Sequence, residues 1–530
     1  MVDIEHACHR CEKPFIIDDS AQLFYEKLEV PAPTHCPDCR RQRRLAFRNE
    51  SFLKKRQCDL CEKVIISMYG EEVSFPVYCS DCWWSDRWDP LDYGAEFDFS
   101  RPFFEQFQSL MARVPKAAVL TLNNENCDYA NYLAFSKSTY MSAGSYGMEN
   151  CFYARKSQYC TDSIDSNVIT KCELVAMSSN CEGCYQSHHL LNCKSVSFSS
   201  YVEDSSNLQN CFMCVGLRNK EYHFKNQPYS KEDYEKILVH YSQKTEEECF
   251  DEFIEFSRSL PKRATILQNC EDSEGNYLSS CKGTTDSFDC FSAEDSRYLL
   301  ECSEVKDCMD MSMHDKEIQL CYELGGGGEK NYLTKFSFCA CASPFTEYSF
   351  SCFYLSNGFG CDGFHSKKSF CILNRQYSEK DYNVLRGQII EHMKKTGEYG
   401  EFFPLTLSPF AYNETAAQLF HPLTEAQALS EGLRWSPPLP SPSSSDALTC
   451  SGCNAMYRRQ PQEVTLYSKI GLAVPARCSS CLLGRLMNWK NPPELNSGNC
   501  SQCKKSLKTS YSPNRFEKVL CETCYLEVVY

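Results

Sequence analysis

A chain of 530 residues, 42% hydrophobic and 13% aromatic, is long enough for several folded domains and too apolar to be disordered. Its formal charge of −15 argues against non-specific nucleic-acid binding by the surface as a whole. No stretch approaches the roughly 18 apolar residues of a membrane span, and Asp3, Glu5 and His6 stand where a signal peptide needs an apolar run. A cytoplasmic location follows as the expectation, with the 37 cysteines reduced and available as thiolates or buried thiols.

In chain order, residues 1–88 come first. Cys8, Cys11, Cys36, Cys39, Cys58, Cys61, Cys79 and Cys82 form four C-x-x-C pairs separated by 24, 18 and 17 residues. Residues 450–530 repeat the same gaps with Cys450, Cys453, Cys478, Cys481, Cys500, Cys503, Cys521 and Cys524. Two such turns complete a tetrahedral four-thiolate zinc site, so the frame predicts four structural zinc sites in two duplicated modules. Each all-thiolate site adds −2, which takes the formal charge from −15 to −23. Sequential pairing (8/11 with 36/39, 58/61 with 79/82, and likewise downstream) and a cross-braced pairing share this spacing. The short aromatic and β-branched runs between knuckles read as zinc-ribbon hairpins. Beyond cysteine, Tyr25 aligns with Tyr467, Lys27 with Lys469, Pro33 with Pro475 and Arg43 with Arg485.

The first half of the N-terminal frame resembles the probable zinc-ribbon domain family of bacterial proteins. The resemblance is carried by Cys8-x-x-Cys11, Phe15, Phe24-Tyr25, Pro33, Cys36-Pro37-x-Cys39-Arg40 and Arg43-Arg44. The downstream copy departs from it with Ser479, Leu482 and Leu486 in place of Pro37, Arg40 and Arg44.

Between and after the knuckles, Arg40, Arg41, Arg43, Arg44, Arg48, Lys54, Lys55 and Arg56 face the lone acid Glu50. Such a cluster is either a phosphate-binding face for nucleic acid or solvated surface. Residues 89–122 hold a dense aromatic run (Tyr93, Phe97, Phe99, Phe103, Phe104 and Phe107, after Trp83, Trp84 and Trp88), read chiefly as core and alternatively as a stacking platform. Phe103, Phe107, Leu110 and Val114 follow helical spacing after Ser100 and Pro102, which suggest an N-cap and an early proline.

Segments 123–228 and 263–376 are repeats. Cys151, Cys172, Cys193 and Cys214 lie 21 residues apart, as do Ser136, Ser157, Ser178 and Ser199. Columns of small residues at such a period predict a parallel β-helix whose coils stack about 4.8 Å apart. Cys281, Cys290 and Cys302 continue the theme. Each half closes on a serine with aspartate three positions on (Ser230 and Asp233, Ser378 and Asp381), the signature of an N-capped helix, at 229–262 and 377–435. Gly325 to Gly328 form a loop. A Pro/Ser tether spans 436–449. The fold class is therefore mainly β with helical caps: four-cysteine zinc-ribbon pairs at both termini flank a cysteine-rich β-solenoid in two halves. The 21 central cysteines read as small buried side chains. Cys181/Cys184, Cys211/Cys214 and a mixed site at His188-His189 are the places to look for another metal.

The whole chain resembles a family of uncharacterised proteins from uncultivated, small-genome bacteria. The matching segments are Cys36–Arg40, Arg43–Asn49, Phe75–Tyr78, Trp83–Asp86, Phe97–Gln106, Val215–Tyr222, Ser408–Thr415 and Cys521–Tyr525. This implies the architecture and cytoplasmic zinc binding, and no activity.

No P-loop, dinucleotide fingerprint, nucleophile elbow or HExxH motif is present. The expected function is a non-enzymatic zinc-binding scaffold engaging nucleic acid, ribonucleoprotein or protein partners through its terminal modules. The alternative is a β-helix enzyme or binder acting on polysaccharide through Asp162, Asp165, Glu203, Asp204, Asp286, Asp289, Glu294 or Asp295, none of which forms a distinctive pair.

Overall fold

The central segments turn a corner every third residue. From Asn150 through Tyr153, Lys156, Tyr159, Asp162, Asp165, Val168 and Lys171 to Leu174, φ lies between 48° and 54°. Non-glycine residues visit this left-handed region only where the surroundings hold them there. The residue after each corner points inward, so Cys151, Ala154, Ser157, Cys160, Ser163, Ser166, Ile169, Cys172, Val175 and Ser178 are all buried. Four triplets close one coil, and parallel partners lie twelve residues apart, as in Ser179↔Leu191 and Cys181↔Cys193.

The solenoid is thus present, but its coil is twelve residues and not the 21 of the sequence columns. The 21-residue spacing is twelve plus nine, one coil and three further sides. Both numbers are multiples of three, so both keep a side chain inward. Only the hydrogen-bond register selects twelve, which places Cys151 beneath Ser163 and not beneath Cys172.

The interior chemistry follows from the backbone. Two residues of each triplet use their N–H groups in the ladder between coils, as with Glu149 to Cys160 O and Asn150 to Lys137 O. The inward residue's N–H points into the tube and needs a side-chain acceptor from the preceding coil. Ser178 Oγ accepts from Leu190 N at 3.1 Å and donates to Ala176 O at 2.8 Å. Ser163 Oγ likewise accepts from Val175 N and Ser199 Oγ from Cys211 N. Cysteine does the same, Cys160 Sγ accepting from Cys172 N at 3.4 Å. Serine and cysteine recur inside because they are small and each satisfies one backbone donor.

The computed structural model describes residues 4–313, 315–437, 447–514 and 517–529. The tether expected over 436–449 lies outside them from 438 to 446. The chain forms two units, residues 1–120 with 267–436 and residues 121–266 with 437–530. Each is a coil stack carrying one zinc module, the N-terminal module on the second stack and the C-terminal module on the first. In the second stack the register lengthens to thirteen residues at Met309↔Tyr322 and Leu324↔Ser337, then returns to twelve at Phe338↔Phe350. Gly325 ends the strand Tyr322–Gly325, and the loop begins at Gly326, where φ is +90°.

Helices follow the coils as the N-cap signals predict. Ser230 Oγ caps Lys231–Tyr241 and Ser378 Oγ caps Glu379–Thr396, each accepting the N–H three residues on. Most of the aromatic run is core: Trp83, Phe103 and Phe107 are fully buried in one cluster with Tyr348, Phe359 and Phe403, whereas Trp84 and Phe99 are exposed. The helix Phe103–Met111 starts later than Ser100, with Pro102 at its N-cap position. Its first N–H groups are taken by a distant carboxylate, Glu398, from Phe103 at 2.8 Å and Phe104 at 2.7 Å. Among the described residues no helix is long and apolar enough to cross a membrane.

Replacing Ser178 by alanine orphans the Leu190 amide at a cost of about 1–3 kcal/mol, whereas cysteine at the same position keeps an acceptor and costs less. Hydrogen exchange at the Leu190 amide should accelerate in Ser178→Ala and stay slow in Ser178→Cys.

Candidate metal centres and their docking helices

Each four-cysteine frame folds into one tight turn and one helix start. The first pair sits on a knuckle beside a two-stranded hairpin, Ile4–Ala7 with Pro14–Ile17 at Cys8 and Cys11, and Lys54–Gln57 with Val64–Ser67 at Cys58 and Cys61. The downstream module repeats this with Leu448–Thr449 and Met456–Tyr457, then Asn496–Asn499 and Ser506–Thr509. The residue after each second cysteine (Glu12, Glu62, Asn454 and Lys504) has φ of 59° to 64°. This corner points both thiols the same way.

The second pair begins a helix. Cys36, Cys79 and Cys478 are the N-cap residues of Pro37–Leu45, Ser80–Trp83 and Ser479–Trp489, and Cys521 precedes Glu522–Val529. Pro37 at the first helical position and the first-turn acids Asp38, Asp81 and Glu522 favour those helix starts. A three-residue spacing puts both cysteines on one helix face.

The thiols converge sequentially, 8/11 with 36/39, 58/61 with 79/82, 450/453 with 478/481 and 500/503 with 521/524, all within 4.8 Å inside each group. The cross-braced alternative is excluded. Sγ–Sγ separations are 3.7 Å for Cys11–Cys36, 3.8 Å for Cys61–Cys79, 3.9 Å for Cys453–Cys478 and 3.8 Å for Cys503–Cys521. A tetrahedron with metal–sulfur bonds of about 2.3 Å has edges of about 3.8 Å, so the donor sets fit zinc.

The first thiol of each group is prepared to be a thiolate. Cys79 N donates to Cys58 Sγ at 3.2 Å, Cys478 N to Cys450 Sγ at 3.2 Å and Cys521 N to Cys500 Sγ at 3.4 Å. Burial works against ionisation, yet these helix-start and knuckle N–H groups bring Cys58 down to about 7 and Cys450 and Cys500 to about 6. Arg87 Nη2 adds a hydrogen bond to Cys82 Sγ at 2.6 Å.

The helix that leaves the first site docks on the coils through arginine. Arg40 Nε reaches Asp310 Oδ2 at 2.9 Å, Arg44 Nη1 reaches Glu323 Oε2 at 2.7 Å and Asp310 Oδ1 at 3.3 Å, and Arg43 bridges Glu323 at 2.9 Å and Glu401 at 2.7 Å. Asp310 and Glu323 are corner residues of successive thirteen-residue coils, with φ of 57° and 51°, so their side chains project side by side from the wall.

The nucleic-acid expectation for this cluster is therefore corrected. Arg40, Arg43, Arg44, Arg48 and Arg56 are buried, and Arg48 pairs with Glu50 at 2.7 Å. Arg56 is held by Asp59 Oδ2 and Gly70 O, Arg41 by Asp38, and Lys54 by Glu72 and Glu414. Of the eight, Lys55 alone is exposed. The pattern could not be told from a phosphate-binding face because the carboxylates that Arg40, Arg43 and Arg44 meet, Asp310 and Glu323, lie 266 to 280 residues away in sequence.

The second unit makes the matching contact with apolar side chains. Leu482 and Leu486, aligned with Arg40 and Arg44, pack on Phe152, Ile164, Ala176 and Met177. Arg485, aligned with Arg43, still finds a carboxylate in Glu246. Tyr467, aligned with Tyr25, donates its hydroxyl to Asp165, a fully buried corner residue in the place that Asp310 holds in the other unit. With no arginine bonded to it, Asp165 is pushed up by burial to about 7, against the opposing pull of Tyr467 and Arg459.

The other residues singled out from sequence are structural. His189 bonds Glu246 and stacks on Tyr201, and burial drives His188 down to about 3. Among the described residues the four terminal groups are the places where three or more such ligands close on one point, so neither His188-His189 nor Cys181/Cys184 nor Cys211/Cys214 forms a further tetrahedral site. Of the acids, Glu203 is held by Lys262 and Ser257, Asp204 by Arg218 and Asn192, Asp286 by Arg297, and Glu294 by Lys306.

Residues 2–48 match the family model described as a probable treble clef domain, in agreement with a knuckle, a hairpin and a ligand-bearing helix start. No curated protein matches this sequence. Among solved structures, a putative acetyltransferase from Desulfovibrio desulfuricans is 9% identical, with 52% of this chain and 82% of that chain covered and a TM-score of 0.11.

Arg44→Leu leaves Asp310 and Glu323 short of a buried partner and should destabilise the unit by about 3–5 kcal/mol. In an Asp310→Asn, Glu323→Ala background the same change should cost far less, a coupling read by a double-mutant cycle on denaturant unfolding. A carboxyl raised by folding contributes its full stability below its unfolded pKa and loses it as pH rises to the folded value, because the unfolded form ionises first. Asp165 therefore withdraws stability as pH rises from about 4 toward about 7. With zinc present throughout, Asp165→Asn should flatten the change in thermal midpoint between pH 6 and 8 and raise the midpoint at pH 8.

Proposed function

We propose that the chain is a non-enzymatic, zinc-held scaffold that presents the outer wall of its coil stacks to a protein partner. The observation that carries this reading is the inward fate of the basic cluster. The cations that would have served phosphate bind the zinc module to the coils, in a chain whose formal charge is −15 before the thiolates are counted. Zinc here does structural work, because four thiolates fill the coordination sphere and leave no position for substrate.

A protein partner is favoured over nucleic acid by what stays outside. Leu122, Phe135, Tyr146 and Tyr159 are exposed along the first coil stack, with ring centroids 5.2 Å apart for Phe135 and Tyr146 and 5.4 Å for Tyr146 and Tyr159. Tyr332 and Phe345 make a similar exposed pair on the second stack, 5.6 Å apart. Exposed aromatic ridges of this kind are typical of protein contact surfaces.

Affinity capture on zinc-loaded protein should recover a partner that survives nuclease treatment and is lost with Phe135→Ser, Tyr146→Ser, Tyr159→Ser. Binding of single-stranded RNA or duplex DNA should be absent or weak at moderate salt. Tight, steeply salt-dependent nucleic-acid binding by the same triple variant would instead support the nucleic-acid reading.

A further inference from the structure

The first coil stack contains a continuous run of thiols that the zinc frames do not use. Cys160, Cys172 and Cys184 occupy one inward column, twelve residues apart, and Cys181 and Cys193 stack in the adjoining one. Cys172 N donates to Cys160 Sγ at 3.4 Å, and the parallel register sets Cys193 directly against Cys181. Five buried thiols thus stand one coil apart in two adjoining inward columns, lined by Ile169, Val175, Leu190 and Val196.

Two distances decide what such a stack can hold. Coils lie about 4.8 Å apart. A disulfide needs Cβ atoms about 3.8 Å apart, so stacked thiols cannot close one without pulling neighbouring coils together. A two-coordinate ion with metal–thiolate bonds of about 2.3 Å spans about 4.6 Å, close to the coil spacing. No three of these thiols close within 4.8 Å of one another as the terminal groups do, which disfavours a tetrahedral ion such as zinc. Soft thiolates in an apolar tube select copper(I) among the biological metals.

We propose that Cys160, Cys172, Cys184, Cys181 and Cys193 form a binding array for a soft monovalent ion, copper(I), held digonally between neighbouring sulfurs. Each ion replaces one thiol proton, forms one bond to that thiolate and takes a lone pair from the next thiol sulfur. One proton leaves for each Cu⁺ that enters, so the buried array gains no net charge.

The test uses the zinc-loaded full chain, incubated anaerobically with excess copper(I) supplied as its acetonitrile complex and then desalted. The expected result is copper retained in addition to four zinc ions, with X-ray absorption showing two sulfur neighbours per copper. Cys172→Ser, Cys184→Ser should lose at least half of that copper while keeping all four zincs. Serine occupies equivalent inward positions at Ser157 and Ser163, so the coils accept it. Copper gained only in step with zinc released, an unchanged copper count in the variant, or no copper retained would each overturn the proposal. Should the variant lose zinc through misfolding, the wild-type absorption spectrum decides alone: three or four sulfurs per copper place the ion in the terminal sites and reject the array.

Discussion

A corner at every third residue is the constraint on which the rest of the molecule depends. Left-handed φ at residues as ill suited to it as Val168 is sustained only because the neighbouring triplets hydrogen-bond to the coils above and below. The corner turns one N–H per triplet into the tube, and that donor can be met only by a small side-chain acceptor one coil away. The serine and cysteine content of the core is thus a consequence of backbone geometry. A tube lined wholly with valine would bury more apolar surface and leave a donor unsatisfied in every triplet.

The corners also supply the sockets for the zinc modules. A corner side chain projects from the wall, and the same corner on the next coil projects beside it. In one unit that pair is Asp310 and Glu323, which receive three arginines from the helix leaving the first zinc site. In the other unit the aligned helix brings Leu482 and Leu486, and the remaining carboxyl, Asp165, accepts the Tyr467 hydroxyl and is pushed up by burial to about 7. One docking geometry is therefore built twice with different chemistry, ion pairs in one copy and apolar contact in the other. Buried ion pairs recover little more than their desolvation cost, so the two solutions can hold their modules comparably well. What the arginines add is selectivity, since a module bearing them is poorly tolerated against an apolar wall.

Zinc secures the docking element itself. The metal ties a knuckle to the first turn of the helix that carries Arg40, Arg43 and Arg44, and the helix-start N–H groups that lower the thiol pKa values also favour the metal-bound thiolate form. A helix of nine residues is marginal alone. Anchored at its start by two thiolates and along its length by the coil corners, it becomes a rigid strut.

The sequence by itself determined the features whose chemistry is local. The C-x-x-C pairs and their repeated gaps specify four thiolate sites, because two knuckles on a short chain have few other ways to satisfy a tetrahedral ion. Ser230 and Ser378 with their aspartates specify helix starts within three residues, and the recurrence of serine and cysteine specifies a coil interior. Only the tertiary structure decided the coil length, since twelve and 21 both preserve inward facing and the ladder register alone distinguishes them. It alone decided that the Phe103–Met111 helix is capped by Glu398, and that the arginines after Cys39 face carboxylates and not phosphate. The reason is common to all three: the deciding partner lies one coil or hundreds of residues away, and its position exists only once the coils have stacked.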